Sequence, residues 1–382
     1  MFTEDCIGKR KMYLAGMLFM SSGMLLMFLS RSMATAVLGQ IMYGFFALVL
    51  KRFSVALISD IAKPELSEKF IPIMQAGLSL GAVIGPFAYR WIKHWRSVTL
   101  YFYFLPLALL FCLSCFFLRD TPRYLLRKHT AAAAAESLNF VAAINSRPPL
   151  EEGEVQQVMD EEGRFKEVKE HMNPLDLCRY QFTRIPSIAF CFLICCVDLV
   201  SFSHSVITDE IGLNPTLNLV LMSSAEIVAL TTLNLIVPYI ERRLASIVMA
   251  LAGLGISLVL LLVRVPSNCE GCSLAVLQIG LVLIARFSIA FMTGLYFVAQ
   301  SEFYPASVKG AGVGAATFAG NLGIVLAQIV LTDAKQLGIN PFLIIGVCYL
   351  MAAVATSGCP KPTGCSLRTK WRKCETHDRH LI

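Results

Sequence analysis

The chain has 382 residues, of which 56% are hydrophobic and 15% charged, with a formal net charge of +7. A domain solvated by water carries about 25% charged residues, so a mean hydropathy of +0.65 excludes a soluble globular protein. The basic residues sit in short clusters beside apolar runs, as in membrane proteins, which excludes a nucleic-acid partner.

The first element is a polar stretch, Met1 to Lys11, followed by an apolar run too long for the core of a cleavable signal. Ten continuously apolar runs then follow, at about 12–30, 34–59, 70–90, 98–118, 184–207, 217–240, 244–265, 274–300, 308–331 and 338–358. A helix needs about 20 apolar residues to cross about 30 Å of hydrocarbon, and most of these runs reach that length. None alternates with a period of two, as barrel strands would. The chain reads as an all-α multi-pass membrane protein of about ten transmembrane helices.

One long polar segment interrupts the runs. It is rich in charge (Glu151, Glu152, Glu154, Asp160, Glu161, Glu162) and reads as surface helices. The expected organisation is a four-span bundle over 1–126, a loop over 127–183, a six-span bundle over 184–359 and a tail over 360–382. Basic residues concentrate on the segments that share a side with the N-terminus. The opposite side holds only Arg31, Arg90, Lys93, Arg96, Arg264 and Lys335. Lysine and arginine are retained on the cytoplasmic side, so both termini and the long loop are expected there.

The thirteen cysteines form no metal framework. Cys191, Cys195 and Cys196 lie inside one apolar run, where a thiol acts as a small hydrophobe. Cys269 and Cys272 form a lone C-x-x-C with no second pair at zinc spacing. Their loop falls outside, where oxidising conditions would let them pair. No H-E-x-x-H, G-x-S-x-G or paired carboxylate at catalytic spacing occurs, so neither an enzyme nor a cofactor is expected.

Several short motifs carry a resemblance. The stretch Asp5-Cys6-Ile7-Gly8-Lys9-Arg10-Lys11 resembles the D-x-x-G-R-[RK] loop between helices 2 and 3 of the major facilitator superfamily. Trp95-Arg96 resembles the W-R that opens helix 6. Asp120-Thr121-Pro122-Arg123-Tyr124-Leu125-Leu126 resembles the E-S-P-R-W-L-L signature after it. Gly212-Leu213-Asn214 with Ala225-Glu226-Ile227 resembles G-L-N…V-E-x-P of the organic ion transporters. Glu241-Arg242-Arg243 resembles the loop after helix 8. Ser301-Glu302-Phe303-Tyr304-Pro305 through Lys309 resembles A-E-L-Y-P-T-x-x-R after helix 10. Pro362-Thr363-Gly364 with Leu367 resembles the P-E-T-x-G-x-x-L tail.

In this order the motifs cover nearly the whole chain, which resembles an organic cation, carnitine and anion transporter of that superfamily. The resemblance implies two helical bundles around a cavity reached alternately from each side, with a four-plus-six arrangement in place of six-plus-six. It implies that the ten spans correspond to helices 3 to 12, helices 1 and 2 being absent. The implied function is secondary transport of small organic ions through the lipid bilayer of the plasma membrane. The alternative is a shortened, non-transporting isoform or a partner of a full-length transporter. The implied gating residues are Asp5, Gly8, Lys9, Arg10, Arg123, Arg242, Arg243, Glu302 and Lys309. The pattern departs at Asp60, where the family has glutamate, and at Gln40, where it has arginine.

Charge inside a span costs roughly 2.5–3.5 kcal/mol on insertion scales, so such residues are functional candidates. Asp198, Glu226 and Arg286 lie within spans, as do Lys51 and Arg52, which are adjacent and so point about 100° apart. Glu226 and Arg286 have opposite signs at similar depth in two runs of the six-span bundle and are expected to compensate each other. Asn321 stands where cation-transporting relatives tend to have aspartate and anion-transporting ones arginine. Glu226, Arg286, Asn321 and Asp198 are therefore the cavity candidates. Tyr101, Tyr103, Phe291, Tyr296 and Phe297 are aromatic at span positions, where packing is the commoner role. Gly77, Gly81 and Gly85 share one helix face, which suggests close helix approach. The topology is checked by cysteine labelling of intact cells. An engineered thiol near Asn268 reacts with an impermeant reagent and one near Gly153 does not; the opposite pattern reverses the orientation.

Overall fold

A computed structural model describes residues 8–61, 64–127, 131–151, 153, 155, 181–207, 214–263, 273–303 and 309–358. Asp5, Gly212, Cys269, Cys272 and Pro362 lie outside the described residues, as does all of 156–180. The helices are α1 (Lys9–Leu29), α2 (Met33–Ile61), α3 (Pro64–Trp91), α4 (Trp95–Phe117), α5 (Pro122–Arg127), α6 (Ala131–Ile144), α7 (Gln181–Val206), α8 (Pro215–Ile236), α9 (Arg242–Leu262), α10 (Ser273–Phe303), α11 (Lys309–Gln336) and α12 (Pro341–Gly358). All but α5 and α6 are long and apolar enough to cross a membrane, which gives ten such helices among the described residues. These match the expected runs to within a few residues. The largest differences are at the start of α3, six residues before the expected run, and the end of α11, five beyond it; α8 ends four residues early, at Ile236, where Pro238 follows and the chain turns.

By contacts the chain forms two compact units. One comprises Met1–Ser67 with Phe87–His171, the other Glu68–Pro86 with Met172–Ile382.

Within the first unit α1 and α2 form a tight antiparallel pair. Gly23 and Gly39 meet at the crossing, where a Cβ on Gly39 would lie 2.8 Å from the Gly23 carbonyl and 3.0 Å from the Met27 nitrogen. Small residues let helix backbones approach this closely. Gly8 precedes α1 with φ +93°, a conformation that favours glycine, and the Tyr124 ring occupies the place of a Cβ. The guanidinium of Arg10 donates to the Cys115 carbonyl at 3.1 Å, and that of Arg96 to the Ser30 carbonyl at 2.9 Å. Within α4, residues Thr99–Phe104 are a π segment, and the Leu105 N–H reaches back five residues to Leu100. Pro106 follows at once. It has no N–H and its ring crowds the carbonyl four residues back, which accounts for the wider turn. Within the expected loop lies α6, with α5 just before it, and the Ser137 hydroxyl donates to the Asp120 carbonyl at 2.8 Å.

The second unit is built on α7, which packs against α8, α10, α11 and α12. Its core includes Leu193, Ile194, Val197, Met222, Ile289, Met292, Ile345 and Tyr349. Asparagine–proline pairs open α8 and α12. Asn214 accepts from the Thr216 N–H and Asn340 from the Phe342 N–H, both at 3.0 Å, while Pro215 and Pro341 occupy first-turn positions whose N–H would be unsatisfied. The aromatics of α10 pack: Phe291 stacks on Phe287 with centroids 6.2 Å apart, and the Tyr296 hydroxyl meets that of Thr356 at 3.1 Å.

The glycine face of α3 differs from expectation. Among the described residues nothing stands within 4 Å of a Cβ on Gly77 or Gly81. A small-residue stripe permits close approach without requiring it, and among the described residues no helix uses it at Gly77 or Gly81. Replacing Gly39 by valine forces two backbones apart and should cost about 2 kcal/mol, as overpacking does. Gly81→Ala should leave stability unchanged. Thermal unfolding of the purified variants separates the two; equal effects would refute the close contact at Gly39.

Candidate functional site

The second unit holds a buried polar cluster at the meeting of α7, α8 and α10. Arg286, on α10, is 7% exposed. A guanidinium removed from water must find acceptors for its donors, and three are supplied. Its Nη2 donates to Glu226 Oε2 of α8 at 2.8 Å, forming an ion pair with side-chain exposures of 9% and 24%. Its Nη1 donates to the backbone carbonyl of Ser201 on α7 and, at 3.1 Å, to that residue's Oγ. One cation thus joins three helices. Just before it, the Ala285 carbonyl accepts from the Tyr349 hydroxyl of α12 at 2.9 Å.

The pair lies in membrane-length helices, where each charge alone would cost several kcal/mol and the partner offsets that cost. The expectation from sign and position that Glu226 and Arg286 compensate each other therefore matches the geometry.

Asp198 sits apart from this contact. It lies on the side of α7 that meets α11, its carboxylate against the Cα of Gly320, while the Cys195 carbonyl lies against Gly323. Any side chain at 320 or 323 would collide with α7, which explains the small residues there. Asn321 follows Gly320 on α11, about 100° round the helix from the seam. Lys51 and Arg52 lie on α2 of the first unit.

Of the motif residues, Gly8 and Arg10 hold α1 as described. Lys9 opens α1 and Arg123 lies in α5. Arg243 donates to the Ser357 carbonyl, tying α9 to the end of α12. Arg242 pairs with Glu68 at 2.9 Å, anchoring the start of Glu68–Pro86 within the second unit. Glu302 lies near the end of α10 and Lys309 begins α11.

Glu68, Ser201 and His204 escaped the sequence reading. Their partners lie far along the chain, and a serine or histidine in an apolar run resembles a packed polar residue. His204 was open to detection, as an ionisable group inside a span.

Glu226→Gln strands Arg286, and Arg286→Leu strands Glu226. Breaking a buried pair typically costs 3–5 kcal/mol, so each variant should lose about 3 kcal/mol of stability and much of its surface expression. Normal expression of both would show that the pair is not structural.

Comparison with known proteins agrees with the architecture. The Major Facilitator Superfamily family model matches residues 2–328. Solute carrier family 22 member 21 of Mus musculus is 26% identical over 316 residues, 79% of this chain and 53% of that protein. Organic cation/carnitine transporter 2 of Homo sapiens is 24% identical over 319 residues, 79% of this chain and 54% of that protein. The chain spans about half the length of the curated relatives it matches. Among solved structures, the proton:xylose symporter XylE bound to 6-bromo-6-deoxy-D-glucose superposes with a TM-score of 0.69 at 13% identity, covering 96% of this chain and 84% of that one. The sequence of this chain is similar to proteins named solute carrier family 22 member 21 and organic cation/carnitine transporter 2, and the chain belongs to the Major Facilitator Superfamily.

Proposed function

We propose that this protein carries small organic ions across the plasma membrane by alternating access, as a secondary transporter with both termini in the cytoplasm. The observation that carries this reading is the Arg286–Glu226 pair within membrane-length helices of a major facilitator fold. Charge at such a position marks substrate and ion pathways. The pair satisfies itself at rest and offers one fixed charge of either sign to a substrate that separates it. Similarity to proteins named organic cation/carnitine transporters supports small organic ions as the substrate class. The reading needs no cofactor and no covalent step.

The neutral amide of Asn321 leaves substrate charge to the rest of the site. Uptake of labelled organic cations, zwitterions and anions into expressing cells, normalised to surface protein, tests the proposal. At least one class should enter faster than in control cells. Asn321→Asp should shift preference towards cations and Asn321→Arg towards anions, each by roughly tenfold, one charge interaction of about 1.4 kcal/mol. Surface-expressed protein that moves no member of the panel would overturn the reading.

A further inference from the structure

Two tight turns share one end of the first unit, residues 30–32 between α1 and α2 and residues 92–94 between α3 and α4. The Arg96 guanidinium, bonded to the Ser30 carbonyl at 2.9 Å, joins them. Around this joint stand Arg31, Arg90, Lys93, His94 and Arg96, all exposed. Four of these are among the six cations assigned above to the side opposite the N-terminus. No aspartate or glutamate occurs in 12–59 or 69–118. The carboxylates of α2 and α3 (Asp60, Glu65 and Glu68) lie at the far ends of those helices. The positive charge at this end is therefore not balanced locally.

The cations divide by what they touch. Arg96 is engaged, with its guanidinium on Ser30 and 5.2 Å above the Trp95 ring, and it holds the two turns together. Among the described residues, the side chains of Arg31, Arg90 and Lys93 make no hydrogen bond or ion pair. Trp91 and Trp95 are 79% and 43% exposed. Tryptophan settles at the boundary between lipid and water, which sets the turns at headgroup level and leaves the cations to the water above. Lysine and arginine are retained on the cytoplasmic side by general tendency. Four of them gathered at the other end run against that tendency and need a reason.

We propose that this patch binds a sulfated polysaccharide at the outer face of the cell. Short segments rich in arginine and lysine, such as Arg90-Trp91-Ile92-Lys93-His94-Trp95-Arg96, are the pattern that polyanions recognise. The cations stand exposed on turns and enclose no pocket, so one small anion gains little from any of them. A chain carrying many sulfates engages several at once, and each contact after the first is intramolecular. An anionic bilayer has the same sign, but the negative lipid is concentrated in the cytoplasmic leaflet. Arg31, Arg90 and Lys93 make the contacts and Arg96 positions them. The inference rests on the orientation proposed above, and on no step of transport.

A fluorescent heparin dodecasaccharide, which does not cross membranes, tests it on intact expressing cells that make no sulfated polysaccharide of their own. Binding, normalised to surface protein, should be saturable and above that of untransfected cells. It should weaken roughly tenfold or more between about 50 and 200 mM salt, because several contacts release counterions together. Combining Arg31→Gln, Arg90→Gln and Lys93→Gln should lower affinity at least about tenfold. Where that variant does not reach the surface, Lys93→Gln alone should lower it about threefold. Arg368→Gln with Arg372→Gln and Lys373→Gln changes net charge equally in the tail and should bind as the wild type does. A patch variant that binds like the wild type, or a wild type no better than untransfected cells, overturns the proposal. So does purified protein that captures phosphatidylserine vesicles through the patch and ignores the dodecasaccharide. An impermeant thiol reagent on Lys93→Cys separates the two readings. No labelling above the wild type refutes the orientation and with it an outer partner; labelling without dodecasaccharide binding refutes the partner alone.

Discussion

Hydrocarbon offers a charge no partner, and the second unit is arranged around that fact. Arg286 cannot stay buried on α10 unless other helices bring acceptors to it. Glu226 on α8 and Ser201 on α7 do so, which fixes the three helices relative to one another at one depth. Tyr349 adds α12 through the backbone beside Arg286. Apolar packing alone is a weak guide to register in a membrane, because lipid tails are as apolar as leucine. A directional polar contact chooses among packings that dispersion leaves nearly equal.

The other close contacts serve approach more than orientation. Gly320 and Gly323 let α11 lie against the backbone of α7, and Gly23 and Gly39 do the same for α1 and α2. Such seams bring backbones near enough for side chains as short as Asp198 to span the gap. The ends of the helices are held differently, by cations on carbonyls or carboxylates: Arg10 on Cys115, Arg96 on Ser30, Arg242 on Glu68, Arg243 on Ser357.

The ten spans were legible because membrane thickness imposes a length and an apolar composition that need no alignment to see. The pair at 226 and 286 was legible because two opposite charges at similar depth in spans of one bundle each demand compensation. Partners drawn from polar but uncharged residues were not. Ser201 lies 85 positions from Arg286 in the chain, and nothing in an apolar run marks it. His204 carried a signal, an ionisable ring in a span, that a search for carboxylates and cations passes over. The face of Gly77 and Gly81 misled for the opposite reason, since small residues permit contact without creating it.

The central claim is that Arg286 and Glu226 stabilise the unit as a pair, each needing the other more than either needs water or a neighbouring dipole. A double-mutant cycle measures that directly, by combining Glu226→Gln and Arg286→Leu in one protein and comparing its unfolding free energy with those of the single variants. Because the desolvation cost of both charges disappears together, the combined variant should be clearly more stable than the sum of the single losses allows, by at least about 1 kcal/mol. Losses that add without interaction would mean that the two charges are held independently, and the account would be wrong.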